Sequence, residues 1–139
     1  MDAIYVLDTN TIIHYLHDNL TVVMNFENAV LARSKLLIPR IVDYELRRGF
    51  EIKPAPRREA HYDKICRHMF CNIVDMGESF WIHAMKIYAD LYSKRLTVGE
   101  IDIIIGGFCV YNDYTLVTSN TKDFQNMDGI KLVDWTHTH

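Results

Sequence analysis

Short apolar runs alternate along the chain with longer segments in which apolar residues recur every three or four positions. The runs cover residues 3–7, 35–39, 71–76, 115–119 and 130–135. Short runs of this kind, bounded by turn residues, are typical of buried strands. The spacing in the longer segments predicts helices over residues 11–17, 20–33, 40–50, 58–69, 77–96 and 101–111. The alternation favours an α/β fold with a mostly parallel central sheet.

Polar residues follow two of the predicted strands at the point where the apolar run stops. Asp8 closes the segment YVLD, and the segment SNTKD follows the fourth strand. Right-handed crossovers bring the carboxyl ends of parallel strands to one edge of a sheet, and ligands bind at that edge in open sheets. We therefore expect these polar groups to lie near each other.

Four acidic residues interrupt apolar surroundings and are the candidates for a reacting site. They are Asp8, Glu45, Asp102 and Asp123, and their wide separation along the chain means that only the fold could bring them together. Carboxylates crowded at about 4–6 Å repel each other unless a cation neutralises them. A hard divalent ion such as Mg²⁺ prefers oxygen ligands and keeps several waters, so three or four acids around an open cavity would suit it.

Each acid also has a simpler structural interpretation. Asp8 could end a strand, with Thr9 or Asn10 capping the next helix, and Glu45 could form a helical ion pair with Arg48. Asp123 could shape a loop. Asp102 is harder to explain in this way, because three isoleucines follow it and charges are rarely buried without a partner.

Composition and charge narrow the class of protein. A hydrophobic fraction of 49% over 139 residues is typical of one folded domain, which we expect to span residues 1–139. No apolar stretch approaches the roughly 20 residues that cross a bilayer. Asp2 stands where a secretory signal would carry positive charge, and the three cysteines lack a framework spacing. These features predict a cytoplasmic protein.

A basic stretch in the middle of the chain contrasts with the net charge of −3. The segment RRGFEIKPAPRRE carries five cations against two acids: Arg47, Arg48, Lys53, Arg57 and Arg58 against Glu51 and Glu59. Such a run is either a solvated surface or a surface that contacts phosphates beside an acidic centre. The sequence leaves both interpretations open.

Four segments together carry a family resemblance. YVLDTN, IPRIVDYELRRG, VGEIDIIIGG and LVTSNTKDF occur in the order and spacing of PIN domains, and most closely resemble the toxin ribonucleases of VapBC toxin–antitoxin pairs. The resemblance covers nearly the whole chain. It implies a three-layer α/β/α fold, a metal-dependent endoribonuclease activity, a homodimer, and a cognate VapB-like antitoxin that holds the enzyme inactive.

The resemblance also assigns roles to individual residues. Asp8, Glu45 and Asp102 match the first three acids of the family, and Gly106 and Gly107 match small residues that let their helix pack closely. The fourth acid falls on Asp123 or is replaced by Asn120. We assign Asp123 as an auxiliary metal ligand; the supporting polar residues are Asn10, Thr118 and Asn120.

The implied reaction is attack on an RNA phosphodiester by water activated by Mg²⁺, with Mn²⁺ as an alternative ion. Family members commonly cut structured RNA such as tRNA, and the expected RNA contacts are Arg47, Arg48, Arg57 and Arg58. A competing hypothesis is a non-catalytic PIN-like module that binds RNA or protein. An α/β phosphatase or nucleotide-binding domain is disfavoured, because no glycine-rich phosphate loop follows the first strand.

Overall fold

The computed structural model describes residues 3–68 and 70–137. Within these ranges helices and strands alternate along most of the chain. The strands are β1 (Ile4–Leu7), β2 (Lys35–Pro39), β3 (Cys71–Val74), β4 (Thr115–Val117) and β5 (Lys131–Val133). The helices are α1 (Thr9–Leu16), α2 (Leu20–Leu31), α3 (Arg40–Ile52), α4 (Pro56–Cys66), α5 (Glu78–Ser93), α6 (Glu100–Asn112) and α7 (Thr121–Phe124).

The five strands form one sheet in the order β3-β2-β1-β4-β5, and every described pair is parallel. This confirms the predicted α/β fold with its mostly parallel sheet, flanked by helices. Val6 of β1 is paired with Leu37 on one side and with Leu116 on the other. The strand order therefore reverses between β1 and β4, and such a reversal is where open α/β sheets bind ligands.

The core lies on both sides of the central strands. Val6, Leu36 and Leu116 come from three adjacent strands and are fully buried. The helices supply large side chains, including Tyr62 and Phe80, that are also fully buried. Near-continuous apolar strands of this kind are expected in a parallel sheet, because helices cover its faces.

Two helices begin at residues other than those predicted. Helix α1 begins two residues earlier than expected, directly after Asp8. Helix α4 begins at Pro56 instead of residue 58. Proline has no backbone N–H, but the N–H groups of the first turn have no acceptor within the helix, so no helical hydrogen bond is lost. Its predicted end at residue 69 lies outside the described residues. No helix in the described ranges is long and apolar enough to cross a membrane.

Candidate active site

Asp8 lies at the carboxyl end of β1, where the strand passes directly into α1. Its backbone N–H donates to the Val117 carbonyl of β4 at 3.2 Å, and its Oδ1 accepts from the Thr11 backbone N–H at 2.8 Å. Asp8 is thus the N-cap of α1, so the simpler interpretation, in which Thr9 or Asn10 caps this helix, is wrong. Because the cap bond fixes its side chain, the carboxylate has a defined position at the edge of the sheet.

The Asp8 side chain is almost completely enclosed, with only 5% of the residue exposed. Burial raises the pKa of its carboxyl, because the charged form loses hydration. Thr118 and Thr11, which hydrogen-bond to the carboxylate, oppose that shift, as does the nearby His14. Asp8 therefore sits in a polar pocket that holds the carboxylate in place but leaves its charge incompletely compensated.

Glu45 projects from α3 towards the start of α1. The Thr9 hydroxyl donates to Glu45 Oε1 at 2.6 Å, which links two residues 36 positions apart. Arg48 Nη2 lies 4.0 Å from Glu45 Oε2, at the outer limit of an ion pair. The predicted helical pair with Arg48 is therefore present but long, and the shorter contact of Glu45 is the one with Thr9 beside Asp8.

Asp102 lies in the first turn of α6 and is half-buried. Its pKa is raised, first by burial and then by the negative charges of Asp123, Asp8 and Glu45. Like charges act on one another in this way only at short range in a folded protein. The structure therefore brings the other three predicted acids within electrostatic reach of Asp102.

The residues after β4 complete this edge of the sheet. Thr118 is fully buried, and its hydroxyl accepts from the Asn120 backbone N–H at 3.0 Å. Asp123 is exposed in the single turn of α7, and among the three neighbouring acids it has the largest effect on the pKa of Asp102. Asn10 and Asn120 are exposed, and no described side-chain hydrogen bond joins either of them to the four acids.

The donor chemistry of this cluster fits a hard divalent cation. All four acids offer carboxylate oxygens, and the repulsion that the other three exert on Asp102 is the condition that a cation relieves. In residues 3–68 and 70–137, no three acidic, histidine or cysteine side chains converge closely enough to ligate one ion directly. An ion that retains several of its waters, as Mg²⁺ does, suits such a spread of carboxylates.

Comparison with known proteins then places the chain in a family. The model of the PIN domain matches residues 5–130, which include all four acids. The chain belongs to the PIN domain family.

Relatives of this PIN domain include two curated ribonucleases. It is 30% identical to the tRNA(fMet)-specific endonuclease VapC of Salmonella typhimurium over 132 residues, covering 94% of this chain and 97% of the relative. It is 24% identical to ribonuclease VapC2 of Rickettsia felis over 133 residues, covering 95% and 98%. The likeness extends over nearly the full length of both relatives.

Solved structures show the same fold. A chain in the crystal structure of DNA-bound VapBC from Salmonella typhimurium superposes with a TM-score of 0.83 at 29% identity, covering 97% of this chain and 99% of that one. A chain of VapBC2 from Rickettsia felis bound to a promoter DNA fragment also gives 0.83, at 24% identity, covering 95% and 98%. The resemblance stated from the sequence motifs is therefore confirmed.

The PIN fold separates the four predicted RNA-contacting arginines into two pairs. Arg47 forms ion pairs with Asp43 at 2.9 Å and with Asp63 at 3.0 Å, so two carboxylates of the protein already neutralise its charge. Arg48 lies near Glu45 and stacks over a tyrosine ring. Arg57 and Arg58, at the start of α4, are exposed and form no ion pair with any described residue.

Two residues at this site have roles that the sequence did not reveal. Thr9 orients Glu45, although its position next to Asp8 had suggested only a helix cap. Asp43, two residues before Glu45, is buried and accepts from the Tyr62 hydroxyl at 2.8 Å as well as from Arg47. This network ties α3 to α4, so Asp43 supports the helix that carries Glu45 and is not part of the acidic cluster.

Proposed function

We propose that this PIN domain is an endoribonuclease of the VapC type, the toxin of a toxin–antitoxin pair. The observation that carries the proposal is that Asp102 of α6 lies within electrostatic reach of three other carboxylates, at the end of β1, in α3 and in α7, beside the reversal of strand order. Asp8, Glu45, Asp102 and Asp123 form this acidic cluster. The names of the two full-length relatives, an endonuclease and a ribonuclease, support the reaction class.

The acidic cluster would hold Mg²⁺, or Mn²⁺ as an alternative, through Asp8, Glu45 and Asp102, directly or by way of waters that the ion retains, with Asp123 as an auxiliary ligand. When bound, a divalent cation supplies positive charge that activates water and offsets the negative charge that develops at phosphorus. The protein's part is to position the carboxylates: Thr11 and Thr118 fix Asp8, and Thr9 fixes Glu45. Preorganised ligands lower the cost of assembling the reacting groups.

The proposed reaction is hydrolysis of an RNA phosphodiester. Water adds to phosphorus, the bond from phosphorus to the 3′ oxygen breaks, and that oxygen leaves as a hydroxyl after gaining a proton. The products are a 5′-phosphate and a 3′-hydroxyl. We infer tRNA as a substrate class from the name of the Salmonella typhimurium relative, which is a tRNA(fMet)-specific endonuclease.

We also propose two protein partners. The first is a VapB-like antitoxin, since the Salmonella typhimurium neighbour, 29% identical to this chain, was solved as a VapBC complex. The second is another copy of this chain. Helix α5 supports the homodimer because it exposes an apolar strip at helical spacing, consisting of Trp81, Met85, Tyr88 and Tyr92. A cavity of about 410 Å³ beside the strip is lined by residues of both α5 and α6.

The homodimer can be tested by measuring the mass in solution with light scattering. We expect the wild-type chain to have the mass of a dimer, and we expect Tyr88→Glu with Tyr92→Glu to give a monomer, because two charges would enter an apolar contact. Tyr44→Glu, at an exposed tyrosine of α3, is the matched control and should leave the dimer intact. A wild-type monomer at micromolar concentration would remove the homodimer from the proposal.

The activity itself is tested with purified protein and total tRNA. We expect cleavage in Mg²⁺ or Mn²⁺, no cleavage in EDTA, and product ends that accept ligation as 5′-phosphates. Expression of the chain alone should slow growth, and co-expression of its antitoxin should restore it. An inert wild-type protein that still binds RNA with the metal supplied would instead favour the non-catalytic binding module.

A further inference from the structure

Two cavities between α1, α3 and α4 join into one groove beside the acidic cluster. The first, of about 400 Å³, is lined by Thr9 and Glu45 of the site and extends to Lys53 and Arg58. The second, of about 520 Å³, shares Arg58 with it and continues to Arg57. Leu16, His17 and Ala55 also line both, so the two cavities adjoin and together extend from Glu45 to the start of α4.

The charge of this groove is opposite to that of the acidic cluster. Lys53, Arg57 and Arg58 line it, and none of them is paired with another described residue. The acids in its lining are Asp18 and Glu45, and Glu45 already accepts from Thr9. Three unpaired cations against one remaining acid make the groove attractive to an anionic chain.

Apolar side chains line the same cavity as Glu45, Lys53 and Arg58. They are Ile13, Leu16, Leu46 and Phe50. Phe50 is half-buried and packs at a tilt against Tyr62, with ring centroids 6.4 Å apart, so its position is fixed. An aromatic side chain flanked by cations is the arrangement that binds single-stranded nucleic acid, since bases stack on the ring while phosphates meet the charges.

We propose that this groove binds the single-stranded RNA segment adjoining the bond that is cut, with phosphates on Lys53, Arg57 and Arg58 and a base against Phe50. The inference rests on the proposed endoribonuclease function and adds a substrate-binding subsite to it. Of the four arginines considered for RNA contact, it selects Arg57 and Arg58, because Arg47 is held by Asp43 and Asp63. It also adds Phe50, and Lys53, a member of the basic stretch that was not among the expected RNA contacts.

The test measures binding of a fluorescein-labelled oligouridine of about 12 nucleotides to the full chain carrying Asp102→Asn, so that cleavage does not interfere. Replacing Arg57 and Arg58 by Gln should weaken binding roughly tenfold at moderate salt. It should also reduce the slope of log K against log salt by about 1.4, because two phosphate contacts are lost. With Asp102 intact, the same pair of changes should raise KM more than it lowers kcat.

Helix α4 offers a matched control. Lys64 and Arg67, at its carboxyl end, are exposed, have no described ion pair and do not line the groove. Replacing both by Gln removes the same charge from the same helix and should change the affinity and the salt slope little. Phe50→Leu should weaken binding about fivefold or more, and Phe50→Tyr should retain it, because only the tyrosine keeps a ring for stacking.

The outcomes separate this inference from the proposed function. Equal weakening by the two pairs of substitutions would mean that net charge alone draws RNA, and the groove would not be a subsite. Unchanged RNA affinity in the Arg57 and Arg58 variant, with cleavage intact, would overturn this inference but not the proposed function. The groove would then be a candidate binding site for a protein segment. A wild-type chain that neither binds nor cuts RNA would overturn the proposed function as well.

Discussion

Asp102→Asn is expected to reduce RNA cleavage by about 10²–10³-fold while the protein remains folded. The carboxylate of Asp102 lies within electrostatic reach of all three other acids, so its loss removes the negative charge at the centre of the acidic cluster. An amide oxygen is a neutral and weaker ligand for a hard cation. The measurement is kcat/KM on a labelled RNA in Mg²⁺, and Asp8→Asn should give a comparable loss.

The same helix provides the control for this substitution. Asp113 lies at the opposite end of α6, in the left-handed conformation that asparagine adopts as readily as aspartate. Its partner is Lys131, an exposed pair whose loss costs little. Asp113→Asn should therefore retain the wild-type rate. Normal cleavage by the Asp102→Asn protein would remove the acidic cluster as the catalytic centre.

Stability should change in the opposite direction to activity. Burial, and then repulsion by the neighbouring acids, raises the pKa of Asp102 in the folded state above its usual 3.8. Below the unfolded pKa the carboxyl is protonated in both states, and as the pH rises through the folded pKa the folded state loses stability relative to the unfolded one. In EDTA at pH 7 the Asp102→Asn protein should thus unfold at a higher temperature than wild type, and the difference should disappear near pH 3.

Gly106→Val is expected to lower the free energy of unfolding by about 3 kcal/mol, because it overfills a packed contact. A Cβ at Gly106 would overlap Met127 Sδ and would lie 3.0 Å from Phe124 Cδ1. Both of these side chains are buried, so they have little room to move. The expected decrease in Tm is about 10 °C by thermal denaturation.

The same substitution should also impair cleavage, since Phe124 belongs to α7, the turn that carries Asp123. Gly49→Val is the matched control, because Gly49 also lies within a helix and a Cβ there would meet nothing within 4 Å. That protein should have nearly wild-type stability. A Gly106→Val protein as stable as Gly49→Val would show that α7 is not held by close packing against α6.

The secondary structure could be predicted from the sequence because it depends on local pattern. All five predicted strands exist, and the predicted helices lie within a few residues of their expected positions. The expectation that Gly106 and Gly107 allow close helix packing is also confirmed. The helices and strands follow from the periodicity of apolar residues. The need for glycine follows from close packing, because a packed core leaves little space beside a helix.

The basic stretch shows what local pattern could not resolve. Arg47 and Arg58 look equivalent in the sequence, yet one is bonded to two aspartates and the other lines an open groove. Ion pairs form only where the fold places opposite charges within a few ångströms, and that distance is not a property of the local sequence. The same reason explains why the bond from Thr9 to Glu45 was missed.

By itself, the sequence determined which residues form the strands and helices, and which acids interrupt them. Only the tertiary structure decided that Asp8 caps α1 directly after β1, and that Asp102 lies within electrostatic reach of Asp8, Glu45 and Asp123. The physical reason is that parallel strands bring their carboxyl ends together only after the crossover helices have packed. The local sequence thus places the Asp8 carboxylate at the end of the first strand, and the packed fold brings Asp8, Glu45 and Asp123 within reach of Asp102.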